Sequence, residues 1–164
     1  MLEGKTSSSV IKEYDCELAK GEKNDCVPRA IAVAYDISYE EAHKICEEKF
    51  DRKPKKGTRT WIGFNSVENK NMIINNKIHS FVDLEKIKYE GSPRYKNEKN
   101  KLVDHKIKIV VRQLVELYLE GTYIVLVRNH AFALVNGVII GNLGDYKKKK
   151  VKVENLIEIK DVAV

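Results

Sequence analysis

The hydrophobic residues of this chain follow helical spacing mainly in the first half and strand-like runs mainly in the second. An apolar run that ends at Tyr35 has no polar face, which predicts a helix over about 26–35 that is buried on all sides. A second helix is predicted from Ser38 to about Phe50, because Ser38 and Glu41 form a capping box. Its apolar stripe recurs every three or four residues and comprises Tyr39, Ala42, Ile45, Cys46 and Phe50.

The middle of the chain carries weaker patterns. A third helix is predicted next, capped by Thr58 or Thr60. It carries four apolar residues, Trp61, Ile62, Phe64 and Val67. Alternating residues over 78–84 predict a strand. Helical spacing returns at Val111, and this helix is predicted to end at Gly121, a favourable residue for a helix C-terminus.

The second half of the chain is typical of a sheet. A continuous apolar run over 123–127 predicts a strand buried on both faces. Asn136-Gly137 separates the apolar runs 131–135 and 138–140, which predicts a hairpin because both turn residues tolerate positive φ. A last strand is predicted over 151–159. Helices followed by a mostly antiparallel sheet predict an α+β fold.

Composition narrows the class of protein. A chain of 164 residues, 43% hydrophobic and 33% charged, predicts one globular domain over 1–164. Residues 1–21 are predicted to be irregular and contain no apolar signal segment, and no apolar run approaches the ~18 residues of a membrane span. Three irregularly spaced cysteines favour a reduced compartment, so the expected location is the cytoplasm.

The net charge of +6 permits binding to acidic partners. Positive charge is concentrated in 52–56, in 85–108 and in 147–150. The segment 85–108 holds eight lysines and arginines and is predicted to be a basic surface insertion. Lysine runs are usually solvated faces, but this insertion is the best candidate surface for an acidic protein or nucleic acid. No membrane contact is predicted, and the oligomeric state is left open.

One cysteine has the context of a nucleophile. Asn24 or Asp25 can cap the first predicted helix, and Cys26 then falls in its first turn, where Pro28 is tolerated. The positive end of a helix favours the thiolate, which is the nucleophilic form of cysteine. Cysteines more often fill the core as small hydrophobes, and Cys46 is predicted to be one of these.

A histidine completes the candidate constellation. His130 is expected at a sheet end, where an imidazole could act as general base for the Cys26 thiol and would need a third group to orient it. With a strict two-residue hairpin loop, Asp145 shares the face of His130 and Asn142 does not. A bulge at Gly141 would return Asn142 to that face. The spacing leaves both residues open as the third member.

The sequence predicts no metal and no other cofactor. His43 and Cys46 stand three residues apart on the second predicted helix, a spacing that two zinc ligands can have. No C-x-x-C pair supplies the two further ligands that a structural zinc site needs.

The order of these features resembles the papain-like cysteine peptidases, with Cys at the start of a buried helix and His opening a strand of a later sheet. The segment 130–135, His-Ala-Phe-Ala-Leu-Val, resembles the His-Ala segment of that family, and 142–144, Asn-Leu-Gly, is similar to its Asn-Ser-Trp-Gly motif. The Asn-Asp-Cys-x-x-Arg-Ala start and the Gly-Thr-Tyr-Ile-Val strand are similar to small bacteriophage-encoded proteins of this fold. The resemblance covers about 22–50 and 110–145.

The resemblance implies a papain-like fold and a thiol-protease-like hydrolase that cleaves an amide or isopeptide bond of a protein or peptide. Cys26 would be the nucleophile, His130 the general base and acid, and Asn142 the group that orients the imidazole. The family's upstream Gln is replaced by Lys20, and the nearest side-chain amide is that of Asn24, so the Asn24 amide or the Lys20 ammonium would stabilise the oxyanion beside the Cys26 N–H.

The departures from the family motif leave other functions open. Loss of one oxyanion donor costs on the order of 100-fold in rate. The alternative is therefore a catalytically weak or inactive papain-like protein that binds an acidic protein or nucleic acid through 85–108. Transglutaminase-like transfer, which uses the same triad chemistry, is a third candidate.

Overall fold

The computed structural model describes residues 5–6, 26–51, 60–84, 94–96, 99, 102–104, 110–128, 130–141 and 152–162. The helices in these ranges are α1 Cys26–Tyr35, α2 Tyr39–Lys49, α3 Thr60–Asn65 and α4 Val111–Leu117. The strands in these ranges are β1 Lys5–Thr6, β2 Lys77–Phe81, β3 Arg94–Lys96, β4 Leu102–Asp104, β5 Thr122–Val127, β6 His130–Val135, β7 Val138–Gly141 and β8 Asn155–Asp161.

Six of the strands form one sheet in the order β1-β7-β6-β5-β8-β2. All neighbours in it are antiparallel except β1, which runs parallel to β7. The strands β3 and β4 pair with each other in a separate antiparallel sheet. The predicted α+β class, with helices and a mostly antiparallel sheet, is confirmed.

Alternation along the strands divides the apolar side chains between two cores. The α1 core lies on the face that α1 covers, where α1 packs across β5, β6 and β7. Its sheet residues are Ile124, Leu126, Ala131, Ile157 and Ile159. The α4 core lies on the opposite face and joins Val111, Leu114 and Val115 of α4 to sheet residues that include Val125, Val127, Phe132 and Leu134. Residues 123–127 are all buried, as predicted for a strand covered on both faces.

The first two helices form where the sequence predicts them. Seven of the ten residues of α1 are buried, because its side chains are apolar on nearly every side. Ser38 caps α2, and its Oγ accepts a hydrogen bond from the Glu41 N–H at 3.1 Å. Cys46 is fully buried in the α1 core, as expected for a structural cysteine.

The predicted apolar face of the third helix is wrong. Helix α3 ends at Asn65, and Phe64 is its fully buried residue, whereas Trp61 and Ile62 are exposed and Val67 lies beyond the helix at 92% exposure. The helix ends here because two side chains bind the carbonyl of Gly63. This oxygen accepts hydrogen bonds from Ser66 Oγ at 3.0 Å and from Asn69 Nδ2 at 2.9 Å.

The predicted end of the fourth helix is also wrong. Helix α4 ends at Leu117, four residues before Gly121, and Leu119 is exposed. Gly121 instead binds Asn136 in the turn between β6 and β7. The Gly121 N–H donates to Asn136 Oδ1 at 3.1 Å, and the Gly121 carbonyl accepts from the Asn136 N–H at 2.8 Å. The bounds of two strands differ by one to four residues from those predicted, since β2 covers Lys77–Phe81 and β8 covers Asn155–Asp161.

The Asn-Gly hairpin between β6 and β7 is confirmed with its strict two-residue loop. Val135 pairs with Val138 and Ala133 with Ile140. Asn136 has φ 48° and Gly137 has φ 78°, as a turn with positive φ at both central residues requires.

Gly137→Ala should lower the free energy of unfolding by about 1–2 kcal/mol, because a Cβ is disfavoured at positive φ. The new methyl group would also lie 3.3 Å from Leu119 Cδ2. Urea denaturation measures the change. The matched control is Asn136→Asp, which keeps an acceptor for the Gly121 N–H and should stay within about 0.5 kcal/mol of the parent. Equal stabilities of the two variants would contradict the assignment of this turn.

Within the described residues, no helix has both the length and the apolar character needed to cross a membrane.

Candidate active site

Cys26 is the first residue of α1 and is half-buried. Its side chain packs against the edge of the α1 core. Pro28 lies buried in the first helical turn, where the missing N–H costs no hydrogen bond. The predicted capping residues Asn24 and Asp25 lie outside the described ranges.

The far end of α1 is tied to one end of the sheet. The carbonyl of Tyr35, the last residue of α1, accepts a hydrogen bond from Asn75 Nδ2 at 2.8 Å. Asn75 lies in the turn before β2, whose first residue Lys77 pairs with Asp161, the last residue of β8. A ten-residue helix is about 15 Å long. Cys26 therefore lies about that distance along α1 from this turn. The opposite end of the sheet holds the last residue of β5, since Thr122 at the start of β5 pairs with Ile159.

His130 stands at that opposite end. It is the first residue of β6 and pairs with Val127, the last residue of β5. Its side chain is half-buried. The predicted nucleophile and the predicted base thus both lie at the ends of their elements that are remote from the Asn75 turn, although 104 residues separate them in sequence.

The His130 side chain leaves β6 on the face opposite to the one that α1 covers. Ala131 belongs to the α1 core, so its neighbours along β6, His130 and Phe132, point to the α4 side. The His130 and Phe132 ring centroids are 6.1 Å apart, as expected for side chains two residues apart on one face. To approach the Cys26 thiol, the imidazole has to pass the end of β6 and reach the face that α1 covers.

The third member of the predicted triad is not described. The strict hairpin register holds through Ile140, so no shift of register occurs between Val138 and Ile140. Asn142 and Asp145 both lie beyond the described part of this hairpin. The choice between them stays a prediction, as do the oxyanion roles of Asn24 and Lys20, which are equally outside the described ranges.

The structure adds a charged residue that sequence reasoning did not select. Arg29 lies one helical turn after Cys26, and its guanidinium carbon is 5.4 Å from the centre of the Tyr39 ring on α2. Tyr39 is the first residue of α2, so this contact directs the Arg29 charge toward α2 and holds the two helices together.

No group of three or more His, Cys, Asp or Glu side chains in the described residues is placed to hold a metal ion. His43 Nδ1 lies 3.2 Å from the Glu47 carboxylate, and Cys46 is buried among apolar residues. Most of the basic segment 85–108 falls outside the description; β3 and β4 are the strands described within it.

Comparison with known proteins found no relative of this chain. No protein-family model, curated protein or solved structure matches the chain.

Proposed function

We propose that this protein is a papain-like cysteine hydrolase that cleaves an amide or isopeptide bond in a protein or peptide. The observation that carries the proposal is the packing of α1 on β6. Helix α1 begins with Cys26, and the strand that it covers begins with His130.

The proposed chemistry assigns one role to each residue. His130 takes the proton of the Cys26 thiol, and the thiolate sulfur attacks the substrate carbonyl carbon. The resulting tetrahedral intermediate collapses to a thioester as the amine leaves with the proton held by His130. Water then attacks the thioester, again with His130 as the base, and releases the acid and the thiol. Asn142 or Asp145 orients the imidazole. The Cys26 N–H, free of intrahelical bonds at the helix start, and the Asn24 amide hold the oxyanion.

The packing between α1 and β6 supports this arrangement. The side chain beside His130 that faces α1 is the small Ala131, which is buried and allows the helix to approach the strand closely. Both Cys26 and His130 are half-buried, so each has a surface that a substrate can reach. Because the two side chains start on opposite faces, the proposal requires the imidazole to turn past the end of β6.

The test is the rate at which iodoacetamide alkylates each cysteine, followed by mass spectrometry from about pH 5 to about pH 9. An ordinary thiol reacts slowly below its pKa of about 8.5. A thiol paired with an imidazole should react about tenfold faster at about pH 6 in the folded protein than in the same protein unfolded in urea. We expect this acceleration at Cys26 and its loss in His130→Ala.

The matched control is His43→Ala, which removes a histidine that contacts Glu47 on α2 and should leave the Cys26 rate unchanged. A Cys26 that reacts no faster in the folded chain, or equally fast without His130, would reject the thiol–imidazole pair. The alternative function, binding of an acidic partner through 85–108, would then be tested by the fall of affinity with salt.

A further inference from the structure

A second histidine, His79, occupies an unusual position in the edge strand β2. Its side chain is 8% exposed, and its Nε2 lies 3.0 Å from the carbonyl oxygen of Phe64 on α3. A carbonyl oxygen only accepts hydrogen bonds, so Nε2 carries the hydrogen and Nδ1 is the bare nitrogen of the neutral ring. Nδ1 is buried and has no hydrogen-bond partner among the described residues.

The surroundings of His79 are aromatic and aliphatic. The ring centroids of Phe64 and Phe81 lie 4.9 Å and 6.1 Å from that of His79, and Ile159 is its partner across the ladder. Burial lowers the pKa of His79 below its ordinary value of 6.5, and the hydrogen bond to the Phe64 carbonyl opposes this shift. Protonation would place an N–H and a positive charge at Nδ1 without an acceptor.

The charged groups near His79 do not supply that acceptor. On its own strand, Lys77 lies two residues away and binds Asp161 at 3.1 Å. On β8, Glu158 and Lys160 flank Ile159 but belong to the other face, where Glu158 accepts a bond from the Tyr123 hydroxyl. The residues packed on His79 from α3 and from the end of α2 are the apolar Phe64 and, behind it, Phe50.

Of the two elements that enclose His79, β2 is held by backbone ladder bonds, whereas α3 is held by side-chain packing, with Phe64 buried in the α1 core against Phe50. Strand β2 pairs with β8 along all five of its residues. Helix α3 has six residues and is attached to β2 by the Phe64 ring and carbonyl on His79 and by the Trp61 ring, whose centroid is 4.6 Å from that of Phe81. Water therefore reaches a protonated His79 at least cost if α3 moves away.

We infer that His79 is an acid-operated latch: its protonation releases α3 from the edge strand β2 while the rest of the sheet stays folded. The direction follows from linkage, because the neutral ring is the form that the docked state favours. Docking is complete above the unfolded pKa of about 6.5 and weakens as the pH falls below it toward the lower folded pKa.

Trp61 reports on this motion, since it is the single tryptophan of the chain and lies on α3. We would measure acrylamide quenching of its fluorescence from about pH 7.5 to about pH 5, with far-UV circular dichroism on the same samples. Trp61 is 43% exposed when docked, so release should raise the quenching constant about twofold with little change in dichroism. In His79→Gln, whose amide can still donate to the Phe64 carbonyl but cannot titrate, the rise should disappear.

The matched control is His43→Gln. His43 contacts Glu47 on its own helix α2 at 3.2 Å, so this variant should keep the parental response. In the parent, the His79 Cε1 proton followed by NMR should titrate with the same midpoint as Trp61 quenching. Separate midpoints, an unchanged response in His79→Gln, constant quenching across the range, or loss of the whole dichroism signal together with quenching would each overturn the latch.

Discussion

Replacing Cys26 by alanine should abolish the amide hydrolysis proposed for this protein, with turnover lower by about 10⁴-fold or more. The reason is that the proposed reaction passes through a thioester on the Cys26 sulfur, and alanine has no atom that can form it. Turnover would be measured on a peptide library with mass-spectrometric detection of the released fragments. His130→Ala should lose a similar factor, because groups that act as a unit show non-additive losses.

The control for this experiment is Cys46→Ala. Cys46 is fully buried in the α1 core, away from any surface that a substrate can reach, so this variant should retain parental turnover. Equal turnover in the parent and in Cys26→Ala would rule out Cys26 as the nucleophile. No cleavage by the parent would instead favour the binding function assigned to 85–108.

The largest expected change in stability belongs to Phe132→Ala, which should lower the free energy of unfolding by about 3–5 kcal/mol. Phe132 is 1% exposed in the α4 core, where its ring packs between the sheet and the apolar side of α4. Alanine would remove its buried apolar area and leave a cavity that neighbouring elements fill only in part. Urea denaturation, with the slope checked for two-state behaviour, measures the loss.

Leu119→Ala is the matched control, since Leu119 is 63% exposed and its truncation should change stability by less than about 0.5 kcal/mol. A Phe132→Ala variant as stable as this control would mean that α4 does not cover the sheet.

Local chemistry explains which parts of the fold were predictable. The hairpin at Asn136-Gly137 needs two positive φ angles, and few residue types supply them, so the sequence specifies both the turn and its register. Helix α1 was predictable because its uninterrupted apolar residues suit only a buried element of that length. The start of α2 was predictable because Ser38 satisfies an orphan N–H.

The failed predictions share a cause. The end of α3 was predicted from apolar spacing and the end of α4 from Gly121, but polar side chains bind the backbone groups at both positions. Asn69 binds the carbonyls of both Gly63 and Lys49, and Asn136 binds the N–H of Gly121. Apolar spacing cannot show such bonds, because their partners meet only after the chain has folded.

The sequence by itself determined the α+β class, the covered strand β5, the hairpin, and the position of Cys26 at a helix start and of His130 at a strand start. Only the tertiary structure decided that α1 packs on the strand that His130 begins, that His130 points away from α1, and that His79 Nδ1 is enclosed without a hydrogen-bond partner among the described residues. Strand alternation can be read from sequence, but a period of two does not say which face receives which helix. That choice depends on long-range packing between α1, α4 and the sheet.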